Sequence, residues 1–334
     1  MDHFTLKNGA MHAEDVPLSR IADEVGTPVY VYSRATLERH ARVFMDALSG
    51  LERKHFAFAI KANPNLSVLR VLAKCGFGAD VVSGGEIARA LASGIAPSDV
   101  VFSGVGKTRD ELRRALDDGI GQFNIELEDE GVAISELAVA MGKRAVAVLR
   151  VNPDVDAKTH AKISTGKKEN KFGVPIDQAG GIYARLARLP GLDMRGVALH
   201  IGSQVFDLDP LEAGYARIGA FVAELRAAGF AIDRVDLGGG LGVPYQRGQV
   251  PPEPAEYGQM VARVTKGWDV TLMFEPGRVK VGSFAVTMTA ATFCERMSRG
   301  STRTPSRPKR PDIDCMVKRT CSLSPVLVRP TTRP

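Results

Sequence analysis

The chain reads as an α/β protein, a TIM-type (β/α)8 barrel accompanied by an incomplete C-terminal β-domain. Three observations predict it. From residue 55 onward, short apolar, β-branched runs alternate with longer stretches of helical periodicity, the pattern of βα units on a parallel sheet. Eight such runs occur, at 55–60, 78–82, 99–103, 121–125, 145–151, 195–201, 234–237 and 270–275. They spread over about 220 residues, close to the roughly 250 of a typical barrel. The runs also end on residues able to do chemistry, which suits a barrel whose active face gathers at the strands' C-terminal lip. A doubly wound open sheet is the alternative. Its usual fingerprint, GxGxxG opening the first helix, is missing, and Gly238-Gly239-Gly240-Leu241-Gly242-Val243 comes late.

Taken in order, residues 1–35 precede the barrel and are assigned to the β-domain. Leu18, Ile21 and Val25 share one face of a helix opened by Pro17-Leu18-Ser19, and Val29-Tyr30-Val31-Tyr32 follows as a strand outside the barrel. The barrel is bounded at 36–280. Its first strand puts Phe56, Phe58 and Ile60 on one face and alanines on the other, and carries Lys61 to the lip before Pro64 stops the run. Helical spacing marks 66–72, 86–91, 112–116, 134–138 and 215–225. The stretch 152–180, low in hydrophobicity and holding several lysines with Gly166 and Gly173, reads as an extended loop over the active face.

Composition is ordinary for a globular chain, with 44% hydrophobic and 25% charged residues among 334. Met1–Pro17 lacks a basic region followed by an apolar core, and no apolar run approaches the roughly 20 residues that span a bilayer, so a cytoplasmic location without membrane partners is expected. The net charge of +6 is unevenly placed. Residues 296–334 hold ten Lys and Arg against Asp312 and Asp314, a net of +8, which leaves 34 basic and 36 acidic groups before them, a net of −2. Six of the 19 prolines fall in the same stretch, which shows no periodic apolar face. It also lacks aromatic interleaving, so nucleic acid is not expected as a partner. Of four cysteines only Cys75 lies in the body, and none forms a CxxC pair or a zinc-like spacing with histidine. Neither a disulfide nor a metal is expected.

The strand ends carry Lys61, Asp80 with Ser83, Ser103, Glu126, Arg150, His200 with Ser203, Gly238 to Gly240, and Glu275 with Arg278. A lysine at a core strand's end is costly to bury unless paired or used, and a desolvated lysine of lowered pKa can form a Schiff base with a carbonyl such as that of pyridoxal 5'-phosphate. Alone, it reads equally as a side chain snorkelling into solvent. The neighbours change that reading. Three successive glycines let backbone N–H groups approach a phosphate, with a following helix adding its dipole; by themselves they are simply a tight turn. Ser203 can add a hydroxyl donor. His200 can stack on a flat ring, or sit satisfied in the core. Glu275, buried by position, needs a proton donor such as a pyridinium N–H.

These residues resemble the barrel-type pyridoxal-phosphate-dependent decarboxylases. The stretches are Phe58-Ala59-Ile60-Lys61-Ala62-Asn63, Asp80-Val81-Val82-Ser83-Gly84-Gly85-Glu86, His200-Ile201-Gly202-Ser203-Gln204, Gly238-Gly239-Gly240-Leu241-Gly242 and Glu275-Pro276-Gly277-Arg278. Asn152-Pro153, His160 to Gly166 and Asn170-Lys171-Phe172-Gly173 narrow the resemblance to the diaminopimelate decarboxylases of lysine biosynthesis. It covers about residues 10–280 in the family's order. It implies an α/β barrel plus a β-domain built from both chain ends, acting as a homodimer with sites at the interface. Lys61 then corresponds to the Schiff-base lysine and His200 to the histidine on the ring; both are the catalytic candidates. Asp80, Ser203, Gly238, Gly239, Gly240, Glu275, Pro276, Gly277 and Arg278 complete the cofactor site, with Arg278 also meeting a substrate carboxylate. The implied reaction converts meso-2,6-diaminopimelate to L-lysine and carbon dioxide. The acid at 275 separates this chemistry from the related racemases, which place an arginine at the ring nitrogen and weaken the electron sink.

The pattern dissolves after Arg278 to Val281. The family's later substrate-binding arginine and tyrosine and its Cys-Glu-Ser-x-Asp motif have no counterpart; Cys294-Glu295 comes too early. The expectation is a truncation or frame shift near residue 280, with 281–334 an aberrant basic tail in place of most of the β-domain, and hence impaired turnover and a compromised dimer interface. The alternatives are a non-catalytic cofactor-binding remnant and a decarboxylase of ornithine or arginine.

Overall fold

A computed structural model describes residues 3–156, 172–244, 248–278, 285–288 and 326–328. The chain divides into two units, residues 1–38 with 284–334, and residues 39–283.

In the first unit β1 (Phe4–Lys7), β2 (Ala10–Ala13) and β3 (Val16–Pro17) form an antiparallel meander, followed by α1 (Leu18–Val25) and β4 (Val29–Ser33). Alternation along β4 buries Val29, Val31 and Ser33, and the two valines join Ala13, Leu18, Ile21 and Ala22 in one apolar core. Val25, expected on the apolar face of α1, is 49% exposed. The helix ends at Gly26, whose φ of +86° turns the chain away, so the buried stripe stops at Ala22.

The second unit is the barrel. After α2 (Arg34–Ala47) come β5 (Lys54–Ala59), α3 (Leu66–Lys74), β6 (Gly78–Val81), α4 (Gly84–Ala92), β7 (Val100–Phe102), α5 (Arg109–Asp118), β8 (Gln122–Ile125) and α6 (Glu128–Ala140). Then follow β9 (Ala145–Asn152), the two-residue β10 (Val174–Pro175), α7 (Ile176–Leu186), β11 (Leu192–Ala198), α8 (Asp209–Ala227), β12 (Arg234–Asp236), α9 (Pro254–Val264) and β13 (Thr271–Phe274). Eight strands pair in parallel as β5-β6-β7-β8-β9-β11-β12-β13, and β13 pairs with β5 to close the ring. Each of the eight runs marked in the sequence overlaps one of these strands.

Strand alternation separates two environments. Phe56 of β5 stacks on Phe274 of β13 (centroids 5.7 Å) and also meets Phe44 and Phe77, in the layer between strands and helices. Ala57 lies on the opposite side with Val101 and Met273, in a small apolar cluster that fills the lumen. Above it the inward positions turn polar. Asp80, Asn124 and Asp236 are all buried.

Helix starts follow capping chemistry. Asn65 Oδ1 accepts from the Ser67 and Val68 N–H groups, and Thr108 with Glu111 forms a capping box. Ser83 caps α4 through the Glu86 N–H (3.3 Å), so this strand-end serine is a helix cap. Helices α2, α7 and α9 lie outside the segments marked by periodicity. Glycines thin the signal in two of them, Gly180-Gly181 in α7 and Gly258 in α9. Gly258 is required by packing, because a Cβ there would stand 1.9 Å from the Ala47 carbonyl oxygen.

The extended loop expected over 152–180 ends sooner, since β10 and α7 occupy its last residues; 157–171, with the His160 to Gly166 motif and Asn170-Lys171, lie outside the described residues. Two short strands come from the Pro/Arg-rich tail, β14 (Ala285–Met288), antiparallel to β4, and β15 (Val326–Val328), parallel to β4. A search for a periodic apolar face passes over runs of three or four residues.

Candidate active site

Residues just beyond the C-terminal ends of the barrel strands converge on a cavity of about 410 Å³. That volume lies in the usual range for a small-molecule site. Its lining includes Lys61, His200, Glu275, Arg150, Asn124 and Asp236.

Lys61 stands in the short turn Ile60–Ala62 that directly continues β5. Its side chain is 57% accessible, open to the cavity, and its Nζ lies 3.3 Å from Oδ2 of the wholly buried Asp80. The sequence suggested a lysine with lowered pKa. The structure reverses the direction: attraction to the Asp80 carboxylate outweighs desolvation and holds the amine above its ordinary value. Lys61 therefore waits as an ammonium. The other oxygen of Asp80, Oδ1, is buried without a hydrogen-bond partner among the described residues. A buried acceptor left unsatisfied beside a cavity is a feature of sites shaped for a ligand.

His200 lies two residues past the end of β11, beyond Leu199, whose N–H donates to the Asp236 carbonyl (2.9 Å). Burial foremost, then the nearby charges of Arg150, Lys61 and Arg278, press its pKa well below the ordinary histidine value. It is a neutral imidazole. The Gly239 N–H points at its Nδ1 (3.4 Å), which assigns the acceptor role to Nδ1 and the proton to Nε2.

Glu275 follows β13 and enters the lumen's polar layer. Its Oε1 accepts from Ser103 Oγ (3.4 Å) and Asn124 Nδ2 (3.3 Å), and it shares a hydrogen bond with Asp236. Asp236 accepts in turn from Asn124 Nδ2 (3.1 Å) and the Gly238 N–H (2.9 Å). Burial, increased by the mutual repulsion of Glu275, Asp236 and Asp80, keeps Glu275 well above the carboxylate range, so the Glu275–Asp236 pair retains a proton.

The Glu275-Pro276-Gly277 segment is tied to the lysine's strand. Pro276 O accepts from the Ala59 N–H (3.2 Å), and Gly277 packs against Ala59 and Ala62. Arg278 comes within electrostatic reach of His200. The glycine triplet has a further role that its sequence does not reveal. A Cβ on Gly239 would stand 2.2 Å from Glu275 O, and one on Gly240, at φ +113°, would stand 2.1 Å from Gly202 O, next to Ser203. Absent side chains thus let β12's end nestle between the ends of β11 and β13. Among the described residues no helix follows the triplet closely enough to add its dipole, since α9 begins at Pro254.

Of the residues singled out in the sequence, Lys61, Ser103, Arg150, His200 and Glu275 line this cavity, Asp80 pairs with Lys61, and Gly239 and Arg278 stand close to His200; Ser83 is the cap of α4 instead. Asn124 and Asp236 escaped notice, although polar residues at inward strand positions, such as Gln122 and Asn124 on β8, were a readable signal. Arg150 and Glu126, noted at the rim without a role, lock it. The buried Glu126 carboxylate accepts from Arg150 Nη1 (2.7 Å), the Gly104 N–H (2.9 Å) and the Gly173 N–H (3.1 Å), while Arg150 lies over the Phe172 ring (5.1 Å). Lys107, fully buried, bonds the Gly104 and Asn124 carbonyls (2.7 and 2.9 Å) and pairs with Glu130.

Comparison with known proteins agrees with this geometry. Residues 34–282 match the model of the pyridoxal-dependent decarboxylase family's pyridoxal binding domain. Diaminopimelate decarboxylase of Zymomonas mobilis is 51% identical over 286 residues, 85% of this chain and 68% of that protein. The enzyme of the same name from Pseudomonas aeruginosa is 48% identical over 293 residues, 88% of this chain and 70% of that protein. The crystal structure of diaminopimelate decarboxylase from Helicobacter pylori complexed with L-lysine superposes with a TM-score of 0.78 at 36% identity, covering 80% of this chain and 68% of that one. That from M. jannaschii gives 0.80 at 33% identity, covering 85% and 68%. The chain belongs to the diaminopimelate decarboxylase family of pyridoxal-dependent decarboxylases.

Proposed function

We propose that this chain binds pyridoxal 5'-phosphate over Lys61 and decarboxylates meso-2,6-diaminopimelate to L-lysine and carbon dioxide. The observation that carries the reading is the convergence, in one cavity of about 410 Å³, of an amine, a neutral imidazole and a protonated carboxyl pair.

The residues present fit the cofactor. Lys61 would hold its aldehyde carbon, His200 its ring face, Glu275 its ring nitrogen, and Ser203 with Gly238, Gly239 and Gly240 its phosphate; Asp80, Pro276 and Gly277 would support these contacts. When bound, the cofactor supplies an electron sink for the pair left behind by carbon dioxide. The chain's own residues prepare that step. Asp80 keeps the Lys61 amine charged and oriented until it is used. Neutral His200 presents a flat ring with no added positive charge. An acid at position 275, unlike an arginine, can pair with a protonated ring nitrogen, which favours decarboxylation over racemisation. Arg278 is the residue we assign to a substrate carboxylate. A homodimer belongs to the same reading, supported by exposed Val105 and Leu127 at the rim; sedimentation of the purified chain measures it. No helix among the described residues is long and apolar enough to cross a membrane, and we place the enzyme in the cytoplasm.

The test combines absorbance and turnover. With pyridoxal 5'-phosphate added, the protein should show a visible absorption band that is lost in Lys61→Ala, and release carbon dioxide from meso-2,6-diaminopimelate. Absence of the band would overturn the cofactor assignment. Release from ornithine or arginine in preference to diaminopimelate would overturn the substrate.

A further inference from the structure

Beneath Glu275 lies a polar arrangement that the reaction as described leaves unused. The Asn124 amide nitrogen sits 3.1 Å from Asp236 Oδ2 and 3.3 Å from Glu275 Oε1, so one donor group draws two carboxyl groups together. Asn124 is itself held by Gln122, whose Nε2 donates to Asn124 Oδ1 (2.8 Å). Such a contact between acids needs either a cation or a proton. The ion pairs of the mouth among the described residues are Lys61–Asp80 and Arg150–Glu126; Lys61 acts on Glu275 only through its charge, its hydrogen bond going to Asp80.

We infer that Asp236 is a positioning residue for the cofactor's ring nitrogen: together with Asn124 it keeps one proton between itself and Glu275, and so sets the charge that Glu275 presents to the ring. This deepens the function proposed above and rests on its assignment of Glu275 to the ring nitrogen.

In the cofactor-free protein one proton lies between Glu275 and Asp236. If the ring arrives with its nitrogen unprotonated, that proton moves from the Glu275 oxygen to the nitrogen and nothing is exchanged with solvent. If it arrives already protonated, two protons meet where one is held, and one leaves through the cavity. The other groups facing Glu275 are Asp80 and Lys61, and those facing Asp236 are Asp80, His55, Tyr215 and Tyr257. Asp80 favours retention of the shared proton and Lys61 opposes it. Neither tyrosine is ionised, since burial holds both hydroxyls above their ordinary range.

The experiment uses the full chain freed of cofactor, with 4-deoxypyridoxine 5'-phosphate as probe, which has the ring nitrogen and phosphate without the aldehyde. Titration calorimetry at neutral pH, where the free ring nitrogen is protonated, in buffers of differing ionisation enthalpy counts the protons released. The wild type should release a proton that Asp236→Asn does not, with release reduced by more than half in the variant at unchanged fold. Equal release from the two proteins overturns the inference. Infrared spectroscopy of the empty protein decides the matter without the Asp236 variant: the wild type should show the C=O stretch of a neutral carboxylic acid, and Glu275→Gln should lack it. Absence of that band in the wild type overturns the inference as well. Failure of the probe to bind the wild type would instead refute the cofactor assignment, and the infrared result would still stand on its own.

Discussion

Glu275→Gln should make the cofactor-free protein more stable at neutral and mildly alkaline pH. The substitution keeps the side chain's shape: its oxygen can still accept from Asn124 and Ser103, and its NH2 can donate to Asp236 as the acid does. What it removes is the cost of holding a proton. Glu275 is raised above the carboxylate range, so its contribution to stability is greatest at low pH and is lost as pH climbs from the unfolded value through the raised one. An unfolded glutamate titrates near ~4.3, and each pH unit above it costs ~1.36 kcal/mol, which sets a ceiling of about 3.7 kcal/mol at pH 7. Glutamine carries no such cost. His200, depressed in the fold, has the opposite slope below about pH 6.5, but it is present in both proteins and cancels in the difference. Urea unfolding of both cofactor-free proteins, repeated from about pH 5 to about pH 8, measures it. The variant should gain roughly 2–4 kcal/mol at the upper end, narrowing to near zero at the lower. A difference that stays constant with pH, or a variant less stable at about pH 8, would refute the reasoning.

Three more predictions test other parts of the barrel. Lys107→Met leaves Glu130 unpaired and frees the carbonyls of Gly104 and Asn124, so it should cost about 3–5 kcal/mol in chemical denaturation, whereas breaking an exposed surface pair such as Arg20–Glu24 should leave stability nearly unchanged. Gly240→Ala drives a Cβ into the Gly202 carbonyl at a left-handed φ, and should lower the unfolding free energy by at least ~3 kcal/mol or prevent folding; wild-type stability would count against the packing described. Phe274→Ala empties the ring layer shared with Phe56, Phe44 and Tyr257 and should cost about 3–5 kcal/mol, measured by urea unfolding at one pH.

How far the sequence could be read depended on the range of the interactions involved. The eight strands were legible because alternation and β-branched runs are local properties, and Lys61, His200 and Glu275 were legible because each stands at or next to the end of such a run. Helix α9 was less so, as its Gly258 answers to the Ala47 carbonyl, which is distant in sequence. The same holds for Ser83, whose hydroxyl is spent on a helix start, and for Val25, left exposed by a turn one residue later.

The sequence by itself determined the barrel, the rim on which chemistry gathers, and the identity of the groups placed there, since strand period and strand ends are written residue by residue. Tertiary structure alone decided their charge. Lys61 is raised rather than lowered because Asp80, nineteen residues away, comes within 3.3 Å. Glu275 holds a proton because the fold buries it wholly and because pairing of β12 with β13 sets a second buried acid, Asp236, beside it. Proton affinity depends on desolvation and on charges across space, and neither is a property of a residue's place in the chain.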